Sequence, residues 1–445
     1  MHSPFYFPGG EGLGLCPLLK TKKQKTAKDL VKNLSDKIIN RQSVIVTEMM
    51  QRLLPFVLEQ QHPADRVLAQ FFKNRRELGS RDRRLLTECF FSTFRWMGLT
   101  RPLGLTILEA VSLSVHLDQT EIHPALLLQG RDWTPLGAKT LDEKLAALRE
   151  WFPDAQGLEK ENLVFPEFGN SVTLPDGQED LFYATLQQRP PTWIRLRNDA
   201  FKRMLMDAEI PYESHPQLDH AVSIPAGRSL GTLGHGGQFE VQDIASQAVC
   251  AIAAPEKDGD WWDACAGAGG KSLHLADLIG RGGKVFSTDV REDALANCKK
   301  RARTDGVKNV RMQLHDLAKD APFTKEWDGV LVDAPCSGWG TWSRNPDARW
   351  RTDPRDPAQK RNLQVRMLNN AAQCVRSGGV LIYAACTFTA EETTETLERF
   401  LADHPNFSLE PFANPLTGKP TDGTLQIWPW DGPGDGMFIA RLKRG

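Results

Sequence analysis

The chain has 445 residues, more than one hydrophobic core usually supports, so two or three domains are expected. Charged residues at 25% and hydrophobic residues at 40% are the proportions of an ordinary soluble protein, and no stretch reaches the roughly 18 apolar residues of a membrane span. A formal net charge of -1 argues against a chain that simply coats nucleic acid. The first hundred residues nevertheless hold 17 Lys and Arg against 9 Asp and Glu, which leaves the remainder acidic overall.

Residues 1–26 read as a glycine-containing tail that ends in Lys20, Lys22, Lys23 and Lys25. Over 27–150 apolar residues recur at three- and four-residue spacing (Ile45, Met49, Leu53, Leu54, Val57; then Leu85, Leu86, Phe90, Phe91, Phe94), which predicts an all-helical domain. Ser80 is placed to cap the second of these helices, with Arg83 where a capping box wants Glu. Lys73, Arg75, Arg76, Arg81, Arg83, Arg84 and Arg95 crowd this domain and are numerous enough for a phosphate-binding face; a solvated helix surface is the plainer reading. Residues 151–180, rich in Pro, Gly and acids and without periodicity, read as a linker or surface excursion.

A small α/β segment is expected over 181–237, opening on the strand-like 191–196 and closing on Gly231, Gly234, Gly236 and Gly237. From 238 to the end strand and helix signals alternate, the pattern of a parallel-sheet α/β domain. None of the eight cysteines forms a Cys-x-x-Cys pair or a Cys/His cluster with zinc spacing, so reduced thiols and no metal are expected. Met1 to Gly10 carry no basic n-region, and a cytoplasmic location is expected.

The run 262–272, WDACAGAGGKS, is a strand, a loop of small residues and a helix start, where backbone can approach a ligand closely. A phosphate-binding loop would need glycine where Cys265 stands, and a dinucleotide fingerprint would need glycine where Ser272 stands. What remains is a loop for an adenosyl cofactor without phosphates. Asp289 ends the next strand, about 20 residues on, where a carboxylate can hold ribose hydroxyls. Asp316 follows a third strand and is placed for the adenine, and Asp333 ends a fourth.

Two cysteines carry the chemistry. Cys336, within DAPCSG at 333–338, and Cys386 each follow an apolar, β-prone run, 327–332 and 379–383. If those runs are neighbouring parallel strands, both thiols emerge at the carboxyl edge of one sheet, where open α/β folds bind ligands. A lone cysteine is usually a small buried hydrophobe, but Asp333, Pro335 and Ser337 around Cys336 do not look like core filling.

With DACAGAGGKS, HDL, DAPCSGWGTWSRNPDARW, YAACT followed by Glu391 and Glu392, and the terminal DGMFIARL, the chain closely resembles RNA (cytosine-C5) methyltransferases of the Sun (Fmu/RsmB) type over roughly 180–445, FEVQDIASQ at 239–247 included. GSRDRRLLTECFFSTFRW at 79–96 more loosely resembles the NusB-like RNA-binding domain of such rRNA enzymes. The resemblance implies a Rossmann-like methyltransferase domain that uses S-adenosyl-L-methionine. It places the cofactor on Cys265, Ala266, Gly267, Ala268, Gly269, Gly270 and Lys271 with Asp289, Asp316 and Asp333. It implies Cys386 as nucleophile, Cys336 in product release, and 16S rRNA as substrate. A monomer is expected.

The chemistry accounts for two thiols and an acid. Cytosine C5 is a poor nucleophile until a thiolate adds to C6. A carboxyl group such as Asp333 near N3 stabilises the charge that then develops on the ring. Arg344, Arg349 and Trp350 are placed to hold phosphates or stack on a splayed base, with Arg81, Arg83 and Arg84 as RNA contacts on the helical domain, and the target base must leave any stack. Ala268 and Ala385 depart from the family pattern, which has Pro and Thr there. The competing functions are the same chemistry on another RNA such as tRNA, or on DNA with Cys336 as nucleophile, and a non-catalytic RNA-binding assembly factor.

Overall fold

The computed structural model describes residues 34–445 apart from 229, 231, 232 and 234–236. The tail expected over 1–26 and Gly231, Gly234 and Gly236 lie outside the described residues. The helical domain comprises α1 (Asp36–Leu58), α2 (Ala64–Asn74), α3 (Ser80–Thr100), α4 (Ile107–Asp118) and α5 (Leu141–Trp151). The periodic apolar residues meet as one core, with Val46, Met49, Leu53, Leu86, Phe90 and Phe94 buried together. Complete capping boxes start two helices, Thr106 with Glu109 for α4 and Thr140 with Glu143 for α5. At α3 Ser80 is the first helical residue and Gly79 takes the capping position expected of it. Among the described residues no helix is long and apolar enough to cross a membrane.

The segment 151–180 is a packed linker and not a surface excursion. Its Leu158, Leu163, Val164, Phe168 and Val172 are buried in a core shared with Trp96 and Leu99 of α3 and with Trp339 and Trp342 of the C-terminal domain. Phe168 stacks on Phe182 and on Trp339, at centroid separations of 5.2 and 5.9 Å. The segment is the wedge that joins the helical domain to the rest.

Next come α6 (Glu179–Leu186), β1 (Thr192–Leu196), α7 (Ala200–Asp207), β2 (Glu213–Ser214), β3 (Ala221–Ile224) and β4 (Phe239–Val241). The strands form a small antiparallel sheet in the order β2-β3-β1-β4. Because Leu196 pairs with Phe239, this subdomain runs on to Val241, past the boundary expected at 237.

The C-terminal domain holds α8 (Ile244–Ala253), β5 (Asp260–Asp263), α9 (Gly270–Ile279), β6 (Lys284–Asp289), α10 (Glu292–Thr304), β7 (Val310–Leu314) and β8 (Trp327–Asp333). It continues with α11 (Ala348–Arg351), α12 (Asp356–Ala372), β9 (Val375–Ala385), α13 (Thr394–Asp403), β10 (Phe407–Leu409), β11 (Thr424–Ile427) and β12 (Met437–Arg444). Among the described residues the sheet runs β10-β12-β9-β8-β5-β6-β7, with β11 paired on β12. The β7-β6-β5-β8-β9 section is parallel, and β12 is antiparallel to β9. Alternate residues of each strand enter opposite layers: Trp261, Leu331 and Ile382 pack with α8 and α9, whereas Trp262, Val330 and Leu381 pack with α12 and α13. Strand order reverses between β5 and β8, so their carboxyl ends open the crevice in which such sheets bind ligands.

Candidate active site

The expected neighbouring strands are present: β8 and β9 pair in parallel with Asp333 opposite Ala384. Each chain continues past the sheet edge into a loop bearing one of the two cysteines, and the sulfurs of Cys336 and Cys386 meet at 3.0 Å. The amide of Gly340 donates to the carbonyl of Cys386 at 3.0 Å, and Gly436 donates to the carbonyl of Gly340 at 2.7 Å, which joins the two loops to the start of β12. A side chain at Gly340 would strike both Gly436 and Cys386, so this close approach needs glycine. The hydrogen bond with Cys336 and then burial push the Cys386 thiol well above its ordinary pKa, helped by the negative charges of Asp333 and Asp435. In the resting site Cys386 is a thiol.

A buried carboxylate locks the two loops together. Glu392 accepts from the amide and hydroxyl of Ser337, from the hydroxyls of Thr387 and Thr389, and from Gln364 Nε2. Ser337 adjoins Cys336 and Thr387 adjoins Cys386, so this one side chain fixes where both sulfurs sit.

Between β5 and α9 runs the glycine loop. Gly269 caps α9 with a φ of 86°, and a Cβ there would lie 2.3 Å from Cys298 Sγ, so only glycine lets the loop settle on α10. Lys271, in the first turn of α9, donates to Asp333 Oδ2 at 2.7 Å and to Ser246 Oγ at 3.3 Å. Burial pulls the Lys271 pKa down, but the Asp333 carboxylate outweighs it and keeps the ammonium charged. Asp289 Oδ2 accepts from the Gly267 amide at 2.8 Å, and Asp289 Oδ1 accepts from the amide and Nε of Arg291 at 2.9 and 3.1 Å. Those bonds outweigh burial and hold its carboxyl below the usual range. Burial raises the Cys265 thiol well above its ordinary value. Asp316 lies just beyond β7, where its Oδ1 accepts from the Ala318 amide at 3.1 Å.

Lys271, Asp333, Cys336 and Cys386 are thus brought together, with Asp289 bonded to the loop. The expected RNA contacts are placed differently. Arg344 donates to Asp243 Oδ2 at 2.6 Å and to Asp435 Oδ1 at 3.4 Å, so two carboxylates already balance its charge. Arg349, only 1% exposed, donates to the carbonyls of Leu163 and Arg95 at 3.0 and 3.1 Å, and burial drops its pKa to about 9. Trp350 Nε1 donates to the Phe94 carbonyl at 2.6 Å. These two residues join domains instead of facing RNA, because α11 is pressed between the helical domain and the cysteine loop. On α3, Arg83 donates to the carbonyls of Leu78, Phe72 and Arg75, and Arg84 pairs with Glu88 at 3.0 Å; Arg81 is exposed.

Three site acids were given no role from the sequence. Asp263, fully buried at the end of β5, accepts from Ser272 Oγ at 2.6 Å through Oδ2, while its Oδ1 has no partner; burial raises its pKa to about 7. Asp435 also rises to about 7, through burial first and then repulsion from Asp243. Glu392 is the third. Strand order, which singled out Asp289, Asp316 and Asp333, would have found Asp263 as well.

Strand order, carboxylates at successive strand ends and paired thiols beyond them define a Rossmann-like methyltransferase domain. Residues 250–443 of that domain match the sequence model of the family described as 16S rRNA methyltransferase RsmB/F. The chain is 37% identical over 214 residues to a probable ribosomal RNA small subunit methyltransferase B of Synechocystis sp., covering 47% of this chain and 48% of the relative. It is 31% identical over 268 residues to ribosomal RNA small subunit methyltransferase B of Klebsiella pneumoniae, covering 57% and 60%. The chain therefore spans about half the length of the curated relatives it matches. Among solved structures, that of PH0851 superposes with a TM-score of 0.72 at 24% identity over 93% of this chain and 100% of its own. A methyltransferase homologue from Pyrococcus horikoshii superposes at 0.52 and 21% identity, over 60% and 91%. At these identities the two structures share the fold.

Proposed function

We propose that this chain transfers a methyl group from S-adenosylmethionine to C5 of a cytosine in RNA, with 16S rRNA of the small ribosomal subunit as substrate, as a cytoplasmic enzyme. The observation that carries the reading is the thiol pair: two cysteines from neighbouring parallel strands, sulfurs 3.0 Å apart, on the edge that bears the Lys271–Asp333 ion pair. The names of the curated relatives supply the RNA class, and the helical domain, likened to NusB, helps to hold that RNA.

The loop suits an adenosyl cofactor. Gly267 and Gly269 both take positive φ, a conformation that favours glycine, and the buried Asp263 Oδ1 lacks a partner. Val290, beside Asp289, leaves 62% of an apolar side chain exposed for a ring to cover. Residues Cys265 to Lys271 would hold the cofactor with Asp289 toward the ribose, Asp316 toward the adenine and Asp333 nearby. Bound there, S-adenosylmethionine supplies an electrophilic methyl group on sulfur.

Cys386 passes its proton to the Asp333 carboxylate as its sulfur bonds to C6, which moves ring electrons toward C5 and builds negative charge toward N3. Asp333, now carrying that proton, donates it in a hydrogen bond to N3, and Lys271 holds Asp333 in place. After methylation the C5 proton passes to Cys336, acting as a thiolate after losing its own proton to solvent; the C5–H pair becomes the C5–C6 double bond and the C6–sulfur pair leaves with Cys386 as thiolate.

The test is transfer of labelled methyl from S-adenosylmethionine to 16S rRNA by the purified protein, followed by bisulfite sequencing. One or a few protected cytosines are expected. Label on a ring nitrogen, on ribose or on no RNA would overturn the reading.

A further inference from the structure

Between α1 and α2, outside the methyl-transfer site, lies a cavity of about 360 Å³. Its apolar lining includes Phe56, Val67 and Phe71, and Phe56 is 39% exposed although it is a large hydrophobic side chain. Its rim carries Arg52, Arg66 and Arg75, and none of its lining residues is acidic. Arg75 is engaged, paired with Glu77 and lying 5.5 Å over the Phe71 ring. Arg52 and Arg66 are exposed, and their side chains make no hydrogen bond or ion pair among the described residues.

Two unpaired guanidinium groups beside an aromatic-floored slot complement a flat ring attached to anions. That describes one nucleotide of a single strand, whose base stacks while cations take its phosphates. A duplex keeps its bases stacked inside and has nothing to insert. The cavity is also tied to the catalytic domain. The Ala64 amide, next in sequence to the lining residue Pro63, donates to Asp347 Oδ2 at 3.1 Å, and Arg351 donates to the carbonyl of Gln61 at 3.5 Å; Asp347 and Arg351 both belong to the segment that leaves the Cys336 loop.

We propose that this cavity holds one unpaired nucleotide of the RNA substrate, its base against Phe56 and Phe71 and its phosphates at Arg52 and Arg66. The proposal rests on the RNA reading above and puts an anchor for the strand on the helical domain, in the α1/α2 cleft instead of on the α3 arginines.

The test titrates the full-length protein with a short fluorescent single-stranded oligoribonucleotide and with a duplex of the same length, over a range of salt. Arg52→Glu/Arg66→Glu is expected to weaken single-strand binding by about tenfold or more and to flatten the salt slope, because two phosphate contacts are lost. Val67→Trp fills the cavity without changing charge, and Phe56→Ala removes the exposed ring. Each is expected to weaken single-strand binding by about tenfold with the salt slope and duplex binding unchanged. Wild-type affinity in Val67→Trp and Phe56→Ala, or equal losses for single strand and duplex, would overturn the nucleotide site, as would unchanged binding in the arginine variant. If wild-type protein methylates RNA while these variants bind normally, only the cavity proposal falls. If it methylates no RNA, the functional reading falls and the binding arms still decide the cavity.

Discussion

Glu392 accepts two hydrogen bonds from Ser337, one from its amide at 2.8 Å and one from its hydroxyl at 2.5 Å. The same buried carboxylate holds Thr387 and Thr389, so the loop after β8 and the loop after β9 meet on one side chain. A thiol pair needs such a clamp, since a shift of 1 Å would separate nucleophile from partner.

Removing the clamp should therefore affect rate and stability together. Glu392→Ala strands buried donors from four residues, and a loss on the order of 3 kcal/mol is expected. Glu392→Gln keeps an acceptor oxygen and should cost less. Thermal unfolding with methyl-transfer rates on the same preparations checks this. A rate unchanged in a stably folded Glu392→Ala protein would show that the loops hold their register without it.

How much of this was legible follows from what each signal depends on. A buried parallel strand is apolar along its whole length, so 327–332 and 379–383 stood out, and the meeting of Cys336 and Cys386 followed from placing them side by side. Burial that depends on another domain leaves no local mark. Arg349 and its acceptor Arg95 are 254 positions apart, and an arginine among polar neighbours reads as surface. The wedge 151–180 buries Leu158, Leu163, Phe168 and Val172 at irregular spacing, on short turns with neither helical nor strand period, and so looked like a loop. Glu391 and Glu392 are adjacent in sequence, and only the meeting of two loops makes the second the clamp.

Arg349 separates a structural contact from an RNA contact. Its guanidinium satisfies carbonyls on both sides of the domain boundary. Arg349→Met should lower the unfolding temperature, by about 1–3 kcal/mol in stability for the two stranded carbonyls, and leave the salt slope of RNA binding unchanged. A slope reduced by roughly the 0.7 of one single-strand phosphate contact would return Arg349 to the RNA surface.

Asp263 gives a pH signature. Its pKa rises to about 7 in the folded protein, through burial first, from the ordinary value of 3.8. A folded pKa above the unfolded one contributes stability that is complete below about pH 4 and is lost as pH rises toward 7. Asp263→Asn keeps an acceptor for Ser272 and carries no charge. Its stability relative to wild type should start near zero at pH 4, grow between pH 4 and 7 and level off above, at a gain on the order of 2–4 kcal/mol. Denaturant melts across that range measure the difference, and a gap that does not change with pH would mean that Asp263 is ionised throughout.

The two thiols are separated by what each mutant leaves behind. If Cys386 makes the bond to C6, Cys386→Ala can form no adduct and methylates nothing. Should Cys336 act only in release, Cys336→Ala still attacks the base and then stalls, so a covalent protein–RNA band accumulates on a denaturing gel. Because the Cys386 thiol is held above its ordinary pKa by Cys336 and by burial, Cys336→Ala should also form its adduct at lower pH than the wild-type protein does. The measurement uses labelled RNA, S-adenosylmethionine, wild type and both mutants over a pH series. Adduct in Cys386→Ala but not in Cys336→Ala would exchange the two roles, and methylation intact in both would remove the thiol mechanism.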